Sequence, residues 1–413
     1  MEWVRRKLPD VDLSIAPAGD PVIASVFVDD GMPGINPMRL HQPHFGHETA
    51  IPNAVLAEFA DTMEREGMAG KFSVVPYPLG VGRIDQELQG VPDGVVREFI
   101  AIVRDRLMPR FDITPEVLTH GPAIDPVTGY RIHLTEKEWG SHASALEWRN
   151  YVRNAFALLA NVGIVAGGCT SPWDTAADNE DAYALGVLAA AADIGLDIPF
   201  YFLHMAQSPS EGMPEVRVLR RGGGGVPARA VVSLKCSAND PLWPTQYGRP
   251  PRTDELIGEG GEGGVLAAFG DAGAPVVVVT HWQSLYGNGA RRAPAVFGDI
   301  GRRLRSRYGS RLVWWSGRQF ACFAAAAQGA SLVRADDRLE LDLPFALEGA
   351  AVTVAPAPGR TLAPVGGAAA VARPGPGGSL RLEGDFAAGR LAVARLVGAD
   401  TVARRRQSVG RRR

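Results

Sequence analysis

Residues 23–31 read IASVFVDDG. An unbroken apolar, β-branched run of this kind predicts a strand buried on both faces, as in a parallel sheet covered by helices. It ends in two carboxylates, Asp29 and Asp30. Adjacent aspartates at the end of a buried strand are costly unless solvated, paired or bound to a cation. Their side chains diverge, so one can hold a metal while the other acts as a base. The plainer alternative is a loop start where both cap backbone amides.

Working outward, the same grammar repeats. A long Gly/Pro-rich loop with three histidines follows, then a helix over 53–66 and a strand over 70–76, GKFSVVP. A helix over 91–108 precedes PEVLTH, a short strand ending at His120; a helix over 142–161 precedes GIVAGGC at 163–169. IPFYFLH at 198–204 ends at His204, and the valine run from Val276 to Thr280 ends at His281. A helix over 290–308 and a strand over 311–315 close the pattern. Alternation of this kind means parallel strands with helical crossovers. Polar groups cluster just after the strands, at the rim where β/α barrels carry their chemistry. An open doubly wound sheet would also bind ligands at strand ends, but so many separate strand-end groups favour a (β/α)7–8 barrel. The expected organisation is a barrel over 1–328, a small β-rich appendage over 329–400 and a disordered Arg-rich tail over 401–413.

Composition narrows the function. The net charge is -2 over 413 residues, which provides no general field for nucleic acid or an anionic membrane. Three scattered cysteines suggest neither a disulfide framework nor a zinc knuckle. No apolar run reaches membrane-spanning length, and the basic N-terminus lacks an apolar segment behind it; the expected compartment is the cytoplasm. Walker and G-x-S-x-G patterns are absent.

Candidate site residues come from the strand ends. A neutral imidazole beside carboxylates suits a borderline divalent metal, which makes His120 and Asp125 candidates; a histidine satisfied by core hydrogen bonds is the alternative. His281 has the chemistry to protonate a leaving group, and His204 is placed similarly. His41, His44 and His47 have a spacing that could bring two onto one metal. Trp173, Trp243 and Trp282 fall on expected rim loops, where aromatic faces make platforms for sugar rings, although tryptophan is equally a core residue.

The motifs resemble those of polysaccharide deacetylases. FVDDG at 27–31 is similar to that family's T-F-D-D-G, KFSVVP at 71–76 to its second strand, LTHG at 118–121 to its metal-binding histidine motif, TSPW at 170–173 to R-x-P-Y, and VTHW at 279–282 to its late L-x-H. Two departures stand out: Ile124 occupies the position of the second metal histidine, and Thr170 that of the arginine. The resemblance implies a metal-dependent hydrolase of a carbohydrate-like substrate, with removal of an acyl group as a candidate reaction. Asp29 would be the base and His281 the acid, with a divalent ion such as zinc on Asp30, His120 and Asp125 or a loop histidine. Two rivals use the same barrel: a metal-independent glycoside hydrolase with two carboxylates, and a non-catalytic carbohydrate-binding protein.

Overall fold

The structure, a computed structural model, describes residues 2–358, 360–365 and 370–398. The Arg-rich segment 401–413 lies outside the described residues. The chain divides into two compact units, one of residues 22–218 with 229–321, the other of residues 1–21, 219–228 and 322 onward. The boundary expected at 328 therefore differs from the observed division. The N-terminal strand Val11–Pro17 pairs along Leu347–Pro356, and that ladder ties residues 1–21 to the C-terminal strands.

The larger unit is the α/β part. Its site-bearing strands are β1 (Val22–Gly31), β2 (Gly70–Val74), β3 (Phe111–Pro115), β4 (Gly168–Thr170), β5 (Phe200–Met205), β6 (Arg229–Cys236) and β7 (Val276–His281), and the short strand Leu312–Trp314 also pairs with the start of β1. One parallel sheet carries β7, β1, β2 and β3 in that order; a second carries β6, β5 and β4. Every residue of β1 and β2 is buried, as two-sided coverage requires. Between the sheets the ladders shrink to single parallel bridges, Ile113 with Ala166 and Glu116 with Thr170 on one side, Ala238 with Val278 on the other. A mixed α/β unit with several sheets is what the ladders establish. The expected continuous ring is not reached by regular pairing: β4 is only three residues long, and β6 ends at Cys236, before the bridge from Ala238 to β7.

Helices fall where apolar periodicity put them. α1 (Asn53–Glu66) buries Val55, Leu56, Phe59, Ala60 and Met63 at helical spacing. It ends at Gly67, whose φ of +66° is the left-handed cap that a side chain resists. Phe59 stacks edge-on against Phe111 and Phe297, so its truncation would cost about 3–5 kcal/mol. α2 (Asp93–Ile102) continues as a wider turn over Val103–Leu107, and α3 (Ala145–Asn161) starts with a Ser144–Glu147 capping box. One expected strand is absent: the segment 116–120 is irregular, since β3 ends at Pro115.

The smaller unit is antiparallel. One sheet orders Val4–Lys7, Val11–Pro17, Leu347–Pro356, Leu380–Phe386 and Val371–Pro374; the other orders Ser331–Ala335, Arg338–Leu343, Gly389–Gly398 and Arg360–Pro364. Buried and exposed positions alternate along Arg338–Leu343, the pattern of a sheet with one packed face. No helix among the described residues is long and apolar enough to cross a membrane.

Candidate functional site

The site begins with a defect in a strand. β1 pairs β7 without a slip, placing His281 opposite Asp29. Against β2 its register shifts between Val28 and Gly31. This bulge contains Asp29 and Asp30, and Asp30 takes a φ of +67°. A bulge re-aims side chains where a regular strand would alternate them. Gly31 closes it because a Cβ there would lie 2.2 Å from the Ser73 carbonyl oxygen.

The two aspartates meet different partners. Asp29 Oδ1 accepts from Lys71 Nζ, which also donates to Thr170 Oγ1 at 2.9 Å. Lys71 is fully buried, its ammonium 5.5 Å and 5.0 Å from the ring centres of Phe27 and Phe202. Asp30 Oδ1 lies 2.8 Å from His120 Nε2, and Oδ2 accepts from Gln283 Nε2 at 2.6 Å. Glu116 completes a group with them. Its Oε1 is 3.5 Å from His120 Nε2, while Oε2 accepts from the Asp30 amide and from Ser73 Oγ, each at 2.5 Å. One ligand atom from each of Asp30, Glu116 and His120 falls within 4.8 Å of the others, and all three residues are buried.

Three buried ionisable groups so close distort one another. Burial would raise the Asp30 carboxyl, but His120 overrides it and holds the group well below the usual carboxylate range. Burial and then the charge of Asp30 push Glu116 up to about 8. Burial would lower His120, yet Asp30 carries it up to about 10. Without a cation, protons bind two acidic groups and an imidazole together. A divalent ion would take their place with two carboxylates and one nitrogen as ligands, and that donor set suits zinc, manganese or ferrous iron.

The cluster is held under backbone strain. Among the described residues ten non-glycine residues have positive φ, and Asp30, Val117, His120, Trp173 and Asp174 are five of them. Such conformations cost on the order of 1–3 kcal/mol each and persist only where surroundings over-determine them. For His120 the constraint is visible. The carboxylate of Glu136, buried, accepts the amides of Leu118, Thr119 and His120 at 3.1, 2.8 and 2.9 Å, and the Tyr151 hydroxyl at 2.7 Å. Glu136 thereby acts as a positioning residue for the His120 loop.

A second pair flanks the bulge. His281 Nδ1 is 2.9 Å from Asp240 Oδ2, and Asp240 Oδ1 accepts from Thr280 Oγ1 and the Leu242 amide. Burial would lower the imidazole, but the Asp240 hydrogen bond and the charges of Asp30 and Asp240 raise it to about 9. Its side chain keeps 28% of its surface open, and the ring of Trp243 stands 5.1 Å away. Trp173 places its ring 4.3 Å from that of His120 and remains 47% exposed.

Several sequence expectations need correction. Asp125 is not in the cluster: its Oδ1 accepts the amides of Val127 and Thr128 and ties its own turn. Trp282 is fully buried against Phe99 and donates to the Ile35 carbonyl, so it is core and not a sugar platform. His204 pairs with Glu180 at 3.1 Å, and Glu180 also accepts from Tyr201 at 2.5 Å and sits 3.6 Å from Arg217; this is an ion network apart from the cluster. His44 is exposed. His47 is buried between Phe45 and Tyr247 with neither ring nitrogen hydrogen-bonded. The side chain of His41 lies outside the described residues.

Three members were missed. Lys71 had a signal, a charge inside an otherwise apolar buried strand. Glu116 had the i, i+4 relation to His120, hidden by reading 115–120 as a strand. Gln283 had none.

Comparisons with known proteins add little. No protein-family profile and no curated protein matches the sequence. Among solved structures, a protein from Mycobacterium smegmatis provisionally named a polysaccharide deacetylase matches at TM-score 0.39 and 15% identity, covering 74% of this chain and 92% of that one. A second, described as a novel carbohydrate deacetylase, matches at TM-score 0.42 and 12% identity, covering 93% and 67%. At these scores neither match carries an argument.

Proposed function

We propose that the chain is a metal-dependent hydrolase of a carbohydrate-like substrate, with removal of an acyl group as its reaction. The observation that carries this reading is the buried Asp30–Glu116–His120 group, whose ligand atoms converge within 4.8 Å. We take the single bridges between the two sheets as closing β1–β7 into a seven-stranded barrel, with the group at its strand ends.

A divalent cation held by these three residues would polarise an acyl carbonyl and acidify a water. The remaining steps belong to the chain itself. Asp29 accepts the proton of the attacking water. Its Oδ1 is committed to Lys71, so Oδ2 is the atom offered. Lys71, reaching in from β2, binds Asp29 Oδ1 and Thr170 Oγ1 and so fixes the position of the Asp29 carboxylate. His281 stands opposite in register, protonated at neutral pH through Asp240, and donates to the leaving group. Trp173 and Trp243 supply aromatic faces beside His120 and His281, which suits the apolar faces of sugar rings.

The glycoside hydrolase alternative needs two carboxylates facing across a pocket at about 5–9.5 Å. Asp30 and Glu116 instead converge on one imidazole, Asp125 caps a turn and Asp240 is engaged by His281. The deciding measurement is metal content by elemental analysis of chelator-washed and reconstituted protein, followed by acetate release from acetylated oligosaccharides. About one ion per chain in wild type, lost in His120→Ala, is expected. No stoichiometric metal in either protein would remove the mechanism.

A further inference from the structure

A cleft lies on the larger unit, lined by none of the cluster residues. It has a volume of about 700 Å³ and is lined by Thr245, Arg249, Pro250, Pro251, Arg292 and Val296 among others. Its charge is unbalanced. Neighbouring arginines have carboxylate partners: Arg252 lies 3.8 Å from Glu255, and Arg291 grips Glu58. Among the described residues no carboxylate pairs with Arg249 or Arg292, and both are exposed. The acidic wall residue, Asp299, is already held by Arg302 and Arg303. The cleft therefore presents two free guanidinium groups and no free carboxylate.

Its backbone favours the same sign of ligand. Helix α4 (Ala293–Tyr308) starts at the cleft with no side-chain cap, and Pro294 sits in its first turn. Ala295 from that turn lines the wall, where the positive end of a sixteen-residue helix adds to the arginines. Pro250 and Pro251 also line the cleft and stiffen its backbone there, which limits the entropy lost when a ligand is gripped.

We propose that this cleft binds the oxyanion of an acidic carbohydrate, a uronate carboxylate or a sulfate ester, as a subsite of the polymer whose reacting unit sits at the cluster. One turn, Trp243–Tyr247, links the two places: Trp243 meets His281 while Thr245 lines the cleft. Planar, forked guanidinium groups match carboxylate and sulfate oxygens two at a time. The substrate class rests on the hydrolase reading above; the cleft as an oxyanion site does not.

The experiment is calorimetric titration of the full-length chain with a uronate oligosaccharide, its neutral counterpart of equal length, and inorganic phosphate, at low and moderate salt. Saturable binding of the uronate oligosaccharide is expected, weakened by salt and by about tenfold or more in Arg249→Ala/Arg292→Ala, with the neutral sugar indifferent to both changes. Arg249→Glu, a single exposed charge reversal, should weaken binding in the same direction. Unchanged affinity in the double variant with an unchanged melting temperature, or no saturable uronate binding, overturns the proposal. Binding of phosphate alone with the same arginine dependence overturns the acidic-polymer assignment. Because the readout is binding, a chain without hydrolytic activity that still binds would leave the subsite standing and remove the hydrolase reading.

Discussion

Asp29 and Asp30 are neighbours in one bulge, yet they live in opposite chemical surroundings. Asp29 faces Lys71, fully buried and walled by Phe27 and Phe202. Asp30 faces His120 and a second acid, Glu116. Burying a carboxylate costs several kcal/mol unless its charge is met, and the chain meets it in two ways. On the Asp29 side the answer is a buried ion pair with a side chain of the protein itself. On the Asp30 side it is provisional, a set of shared protons that a metal ion can displace. The first arrangement suits a group that must hold one position. The second suits a group that must bind something.

The sharpest way to break this contrast is to neutralise the provisional side. Asp30→Asn should abolish stoichiometric metal and lower activity by on the order of 10³-fold, since a Lewis acid contributes several kcal/mol to such a barrier. Glu116→Gln separates binding from folding. It keeps the side chain's size and the acceptor for Ser73 and the Asp30 amide, but removes one negative ligand. Wild type should melt at higher temperature with added metal, by about 2.7 kcal/mol of linkage at a hundred times the dissociation constant. Glu116→Gln should melt like apo wild type at every metal concentration. A metal-dependent rise that survives in the variant would mean that the ion binds elsewhere.

The Asp29 side breaks differently. Lys71→Met leaves a buried Asp29 with no cation, a loss of about 3–5 kcal/mol in chemical denaturation. Adding Asp29→Asn to it should restore much of that stability while activity stays low. Recovery of stability in the double variant identifies the pair itself as the source of the loss. If Lys71→Met alone melts normally, Asp29 is not held by Lys71 and the division between the two aspartates fails.

The same contrast explains what could be read in the sequence. IASVFVDDG announced a doubly buried strand and a site at its end, because apolar run and terminal carboxylates are local signals. His120 and His281 followed from the same rule, and α1, α2 and α3 from helical spacing. What failed was non-local. Asp125 lies nearer His120 in sequence than most acids do, but the turn at 125–128 uses its carboxylate. Glu116 was the true companion, presented by a strained segment with positive φ at Val117 and His120 that no periodicity encodes. Trp282 follows His281 directly, yet the short helix it begins turns it into the core. Strands 4–7 and 11–17 were not assigned at all: 4–7 is only a short local partner of 11–17, and 11–17 finds its own sheet at Leu347–Pro356, more than three hundred residues along the chain.

A smaller effect sharpens the Asp29 side from across the sheet. His281 stands in register with Asp29, and its imidazole is raised to about 9 chiefly by the Asp240 hydrogen bond working against burial. A raised value means the proton is held below about 9 and lost above it, so a step that needs imidazolium should persist through neutral pH and fail on the alkaline side. Asp240→Asn removes the negative charge but keeps an acceptor for Thr280 and the Leu242 amide. The alkaline limb of kcat should then move toward the ordinary histidine value near 6.5, a shift of about one to two pH units, with KM little changed. Proton NMR of the His281 ring gives the same shift without reference to turnover. If the ring titrates alike in both proteins, the charge that holds its proton comes from Asp30 across the bulge, and the two sides of the site are coupled rather than separate.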